Sequence, residues 1–274
     1  MKFRYGVLLF LAVLSRPCLA QDLPDPSGPP DPSSPPPVIN ETSFPDRPVS
    51  WFKLVPNLAH DQKDIWTFPI SVAKGHHLKP TLIVSAITVA AVAGVDEPSG
   101  RYFQGSRSYS RFNRVFSADR TSRAMIVAPS VFYAISLIRK DSYGQNSFLL
   151  AGEAVLDSEI VTSVMKDIDR RLKPIEVPPG GDFSQTWFKS ATGKSAFGGI
   201  GSFPSGHTIA AFSVAAVFAD RYPRPRWFPK LAYGLAGVVG FSRISLQSHH
   251  PSDVFAGAAL GYSIAHYAVL HARD

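Results

Sequence analysis

The chain has 274 residues, is 45% hydrophobic and 18% charged, and carries a formal net charge of +7. That is enough chain for one large domain or two small ones, and its composition excludes a wholly disordered or collagen-like protein. The single cysteine excludes a disulfide framework and a cysteine-rich zinc site, while a mean hydropathy of +0.03 argues against a typical multi-span membrane protein.

Residues 1–20, MKFRYGVLLFLAVLSRPCLA, have the form of a signal peptide. Lys2 and Arg4 make a basic start, Gly6 to Leu14 a short apolar core, and Ala20 a cleavage site. The apolar core is short for an uncleaved anchor. Arg16 and Pro17 stand where a lipoprotein signal needs small residues. Cleavage after Ala20 removes Lys2, Arg4 and Arg16, leaves a net charge of +4, and takes Cys18 with it. The expectation is an exported protein, periplasmic or secreted, with membrane association open.

Residues 21–50 hold ten of the 24 prolines and few apolar side chains, so they form an extended tether rather than a helix or inner strand. Asn40-Glu41-Thr42 has the form of a glycosylation sequon and is read as chance. From residue 51 to 274 the composition is globular. Helical stretches are predicted at Gln62–Val72, Leu78–Val95, Thr121–Ile138, Ser147–Leu172, Ser205–Asp220, Pro229–Ser242 and Ser252–His271, with no alternating strand pattern. The fold class is therefore all-α, a helical bundle. Pro80, Pro129 and Pro229 fall near helix starts or kinks. Thr81–Val95 and Val254–Leu270 are read as buried bundle helices rather than membrane spans, because both are short or rich in small residues. Residues 101–123 hold six arginines among Tyr, Phe and Ser. They are read as a solvated loop, with a basic collar for an anionic substrate or headgroup as the sharper alternative. No nucleic-acid module accompanies them.

Three C-terminal segments carry the chemistry. Lys166 and Lys173 are seven apart and so share a helix face, with Arg170 close by, and Pro174 marks the helix end. Ser205-Gly206-His207 opens an apolar helix. Ser205 is placed as N-cap, Gly206 allows close approach of a ligand, and the helix start is a ready anion site beside His207. Arg243 precedes a third cluster in which His249 and Asp253 are four apart and can meet across one helical turn. A carboxylate on one imidazole nitrogen fixes the tautomer and leaves the other free to attack. His250 has no such partner by spacing and is read as supporting or facing solvent.

This set resembles the type 2 phosphatidic acid phosphatase (PAP2) superfamily, which also contains bacterial acid phosphatases and vanadium haloperoxidases. The family pattern is Lys, six residues, Arg-Pro; then Pro-Ser-Gly-His; then Ser-Arg, five residues, His, three residues, Asp. The second and third parts match in full, and the first has Lys173 in place of Arg. The resemblance covers about 147–271. It implies a PAP2/haloperoxidase-type bundle and a phosphatase with His249 as nucleophile, Asp253 orienting it and His207 as acid and base. Lys166, Lys173, Ser205, Gly206 and Arg243 would hold the phosphate. No metal or cofactor is implied, and vanadate is expected as an inhibitor or phosphate mimic. The expected partner is a phosphorylated lipid or small molecule, a lipid phosphate, polyprenyl pyrophosphate or soluble ester, with a membrane surface as a candidate partner and no nucleic acid. The oligomeric state is not readable. The alternatives are a vanadium haloperoxidase, whose members are typically longer, and a non-catalytic phosphate- or lipid-binding protein on the same scaffold, which the presence of both His207 and His249 disfavours.

Overall fold

The structure is a computed structural model that describes Arg47, residues 49–189 and residues 200–271. The predicted signal peptide and nearly all of the tether lie outside the described residues. The described residues contain helices and no strand. In chain order these are α1 (Leu54–Ala73), α2 (Leu78–Gly94), α3 (Asp96–Gly105), α4 (Ser110–Val115), α5 (Ala118–Ile138), α6 (Ser142–Asp169), α7 (Gly206–Arg221), α8 (Trp227–Ser245) and α9 (Pro251–Ser263). Short 3-10 turns at Pro174–Glu176 and Phe183–Gln185 link α6 to α7, and α9 runs on into a π-helical segment, Ile264–Leu270.

Helix α7 is the central element and packs against α6, α8 and α9. Leu150 and Ala154 of α6 meet Val217 and Phe218 of α7, Phe228 of α8, and Ala265 and Val269 of the π segment in one buried cluster. Small residues let α7 and α9 nearly touch. A Cβ on Gly261 would stand 2.3 Å from the Ile209 carbonyl oxygen, closer than any side-chain carbon can sit. This close approach brings the starts of α7 and α9 together, and both candidate catalytic histidines lie beside those starts.

Residues 51–146 pack onto this core. Arg47 donates to both carboxylate oxygens of Asp61 at 2.8 Å, Asn57 donates to Glu153 at 2.8 Å, and Gln62 donates to Asp157 at 2.8 Å. The last two bonds seat α1 on α6.

Two expectations are corrected here. Residues 101–123 are mainly helical: they contain the end of α3, all of α4 and the start of α5. Asp96 and Glu97 occupy the first turn of α3, where carboxylates oppose the helix dipole favourably, and Arg101 closes an i,i+4 pair on Glu97 at 2.7 Å. Thr81–Val95 is not a buried helix, since no residue of α2 is buried. Its Ile83 is 60% and its Val89 66% exposed, and Ile126 of α5 is 68% exposed. The Val254–Leu270 stretch is buried along one side, as expected. Of the described helices, α5 alone is long and apolar enough by itself to cross a bilayer, and α1 with α2 pass the same test only as a pair bent by 98°.

Candidate active site

Helix α7 begins at Gly206 with Ser205 as N-cap, as the sequence predicts, but the Ser205 side chain does not close the cap. Its hydroxyl instead accepts from Thr208 Oγ1 at 2.8 Å. The first N–H groups of a helix have no intrahelical partner and carry the positive end of its dipole. A Cβ at Gly206 would meet Thr162 Cγ2 at 3.4 Å and Lys166 Nζ at 3.7 Å, ordinary contacts. Packing alone therefore does not demand glycine, and its bare backbone leaves room for a ligand next to the Lys166 ammonium.

Lys166 lies on the last turn of α6. Burial, reinforced by the charge of Lys173, lowers its pKa against the opposing pull of Glu159. Its ammonium makes no hydrogen bond among the described residues. Arg243, 1% exposed, is a buried cation. Its Nη2 donates to Thr121 Oγ1 at 3.1 Å, Ser242 Oγ at 2.8 Å and the Phe116 carbonyl, and its Nε donates to Ser242 Oγ at 3.0 Å. Its Nη1 is buried and has no hydrogen-bond partner among the described residues. Burial depresses this guanidinium to about 10. An unpartnered buried donor on a cation is costly unless an anion meets it.

The histidines are fixed by neighbours the sequence did not reveal. His249 Nδ1 lies 2.6 Å from the Ser202 carbonyl oxygen and 3.7 Å from Asp253 Oδ2. A carbonyl only accepts, so Nδ1 carries the proton and Nε2 carries the lone pair. The i,i+4 spacing does bring Asp253 beside His249, but as a close charge rather than a hydrogen bond. Burial lowers the His249 pKa and favours the neutral ring that nucleophilic attack needs, with Asp253 pulling the other way. His207 Nε2 lies 2.9 Å from Ser122 Oγ on α5. Burial, then Arg243, His249 and Lys166, pushes its imidazole down to about 4. His250 is fully buried rather than solvent-facing, with Nε2 3.1 Å from the Leu172 carbonyl.

Asp253 is held by more than histidine. Its Oδ1 accepts from Arg171 Nη1 at 2.5 Å, and its Oδ2 from the His250 backbone N–H at 2.8 Å. Arg171 also donates to Ser252 Oγ at 2.7 Å and to Asp96 Oδ2 at 2.6 Å, and stacks 4.4 Å from the Trp187 ring. Asp96 Oδ1 in turn accepts the Ser252 N–H at 3.0 Å, capping α9. Burial works to raise the Asp253 carboxyl, but His249, Arg171 and His250 hold it well below the ordinary carboxylate range.

The basic segment differs from the helical reading. Helix α6 ends at Asp169, and Arg170 takes a left-handed backbone conformation at φ 45°. Lys173 is therefore not on the Lys166 helix face. Its side chain is 40% exposed, with Nζ 4.0 Å from Glu176, although it stays near enough to Lys166 to depress that ammonium. Arg170 is exposed and donates to the Asp167 carbonyl at 3.1 Å. Arg171 faces Asp253 and Asp96, so neither arginine replaces the fork that Lys173 lacks. Lys173→Arg adds a bidentate donor at the pocket edge. It is expected to keep or raise kcat/KM, by up to about threefold, and a large loss of turnover would mean the site is tuned around lysine.

The bundle thus gathers a buried and a half-buried cation, a helix N-terminus and two oriented imidazoles at one end, a set of groups that can hold an oxyanion beside histidine. The PAP2 superfamily model matches residues 147–273. The chain is 34% identical to a lipid A 1-phosphatase of Rhizobium johnstonii over 108 residues, 39% of this chain and 40% of the relative. It is 44% identical to a lipid A 1-phosphatase of Porphyromonas gingivalis over 61 residues, 22% of this chain and 14% of the relative. The match thus spans well under two thirds of either relative. A crystal structure of a transmembrane PAP2 type phosphatidylglycerolphosphate phosphatase from Bacillus subtilis is 20% identical with a TM-score of 0.34, covering 76% of this chain and 92% of that one.

One consequence of the electrostatics is measurable. Burial first, and then the cations around it, keep His207 neutral at pH 6, and a bound phosphate cancels the field of those cations. Titration of the ring by NMR is expected to give a pKa near 4 in the free protein, moving upward by about one unit or more when saturating phosphate is added. An unchanged His207 titration in a phosphate-saturated sample would separate this imidazole from the anion site.

Proposed function

We propose that the protein is an exported, metal-independent phosphatase that removes a phosphate group from a lipid at a membrane surface through a phosphohistidine. The observation that carries this reading is the buried Nη1 of Arg243, left without a hydrogen-bond partner among the described residues, on a cation that together with Lys166 acts on the imidazole of His207. Two fixed cations and the α7 N-terminus suit a tetrahedral anion and stabilise the charge that spreads over the equatorial oxygens as a phosphoryl group transfers.

The steps start from the tautomer of His249. His249 Nε2 attacks phosphorus as the bond to the leaving oxygen breaks, and His207, which takes up a proton from solvent as the phosphate group binds and raises its pKa, gives that oxygen its proton. Neutral His207 then takes a proton from water, whose oxygen attacks the phosphohistidine. Inorganic phosphate leaves and His249 returns to its starting state. Asp253 balances the positive charge that builds on the His249 ring. Exposed apolar side chains on α2 and α5, such as Ile83, Val89 and Ile126, support a lipid-borne substrate by offering a surface for acyl chains or bilayer. The names of the similar proteins point to the same substrate class.

The test uses the purified full chain in detergent with excess chelator, on a chromogenic phosphate ester and on lipid A. Phosphate release from the lipid, blocked by vanadate, is expected. Fractionation of the producing cells should place the protein with the membrane or periplasm. Absence of turnover on either substrate despite tight phosphate binding would overturn the reading in favour of a binding protein. Halide oxidation by peroxide after vanadate loading would overturn it in favour of a haloperoxidase.

A further inference from the structure

The end of the bundle opposite the phosphate site holds a second cluster of ligating side chains. Asp220 on the last turn of α7 meets His266 of the π-helical segment and His271 just after it, and one ligand atom from each lies within 4.8 Å of the others. From His207 to Asp220, thirteen residues of helix span about 20 Å at 1.5 Å per residue, so this cluster is remote from the catalytic histidines.

The backbone supplies the geometry. In a regular α-helix, residues five apart lie about 140° apart around the axis, at 100° per residue, and do not face one site. Here the chain is π-helical from Ile264 to Leu270, and the His271 N–H donates to the His266 carbonyl, five residues back, at 3.1 Å. This wider turn brings the two imidazole centroids to 4.3 Å. Single-turn π segments of this sort recur at functional sites. The Tyr262 ring stacks on His266 at 5.3 Å and 11°, which fixes the plane of that ligand.

The tautomer of His271 also suits a metal. Its Nδ1 lies 2.8 Å from the His266 carbonyl oxygen. A carbonyl accepts only, so Nδ1 is the donor in this contact. Metal-bound histidines characteristically donate their second ring nitrogen to a carbonyl or carboxylate in this way.

We infer that Asp220, His266 and His271 form a binding site for a divalent transition-metal ion, of which Zn2+ is the best fit. Two imidazole nitrogens and one carboxylate oxygen are borderline donors that suit Zn2+, whereas Mg2+ and Ca2+ prefer all-oxygen shells. Three protein ligands leave a fourth position for water. The ion would fasten the end of α7 to the C-terminal turn. Because α7 and α9 both reach the phosphate site at their other ends, the site acts on stability rather than on the reacting atoms.

The experiment is calorimetric titration of the metal-free full chain with Zn2+ alone, with thermal unfolding as a second readout. One Zn2+ per chain is expected, with Tm rising on addition and falling back with chelator. His266→Ala, His271→Ala and Asp220→Asn are each expected to weaken binding by tenfold or more and to abolish the Tm rise. A His207→Ala/His249→Ala double variant should bind Zn2+ as the parent does, which separates this site from adventitious metal at the phosphate pocket. Phosphatase turnover in Asp220→Asn should stay within about twofold of the parent. If His266→Ala fails to fold, because Tyr262 loses its stacking partner, the exposed Asp220→Asn position carries the test. Absence of Zn2+ binding, affinity changes below twofold in the cluster variants, or loss of binding in the His207/His249 variant would overturn the assignment.

Discussion

Replacing His249 by alanine is expected to lower turnover by about 10^4-fold or more, the scale seen when a nucleophile is removed from a preorganised site. The reasoning rests on one atom. His249 Nδ1 is committed to the Ser202 carbonyl at 2.6 Å, so the Nε2 lone pair is the group available for attack. Alanine removes that lone pair without touching the cations, so inorganic phosphate should still bind with an affinity within about tenfold of the parent. The two readouts must diverge: turnover lost, anion binding kept. A rapid alkaline quench of labelled substrate should trap phosphate on the parent protein and none on the variant, since a phosphorus–nitrogen bond survives base better than acid. Full activity in His249→Ala would remove the phosphohistidine route. Joint loss of binding and turnover would point to collapse of the pocket instead.

The sequence made some of this site legible because those parts depend on local spacing. A serine and glycine before an apolar run place an anion-binding helix start. A histidine and an aspartate four apart on a helix start must come close. The all-helical class follows from helical residues without alternation. What stayed hidden depends on contacts between segments far apart in the chain. Ser122 reaches His207 across 85 positions, and Ser202 reaches His249 across 47. A carbonyl acceptor carries no side-chain signature, so the group that sets the His249 tautomer leaves no mark in the sequence. The basic segment misled because helical phasing was carried past Asp169, where the backbone turns left-handed at Arg170. The reading of α2 as buried failed for another reason. Apolar composition shows that a surface avoids water, but not whether protein or lipid covers it.

Arg171 shows what that hidden layer contributes, and its replacement by methionine is the second large effect expected. The guanidinium is 1% exposed and bridges two buried carboxylates, Asp253 at 2.5 Å and Asp96 at 2.6 Å. Methionine preserves volume but leaves both acids without their cation, and breaking a buried ion pair from one side costs about 3–5 kcal/mol. Unfolding by denaturant should report that loss as a lower midpoint. A structural role alone would stop there. Arg171 also helps to hold the Asp253 carboxyl below its ordinary range, after the larger contribution of His249. Without it the carboxyl pKa rises, so Asp253 becomes protonated at a higher pH and no longer balances the charge on His249. The acid limb of the kcat profile is therefore expected to move to higher pH in Arg171→Met, with kcat falling more than KM changes. Asp96→Asn supplies the control. It keeps a hydrogen-bond acceptor for Arg171 and leaves the Arg171–Asp253 contact in place, so it should lose stability with a smaller shift of that limb. An acid limb that stays fixed in Arg171→Met, whatever the loss of stability, would confine Arg171 to holding the fold together.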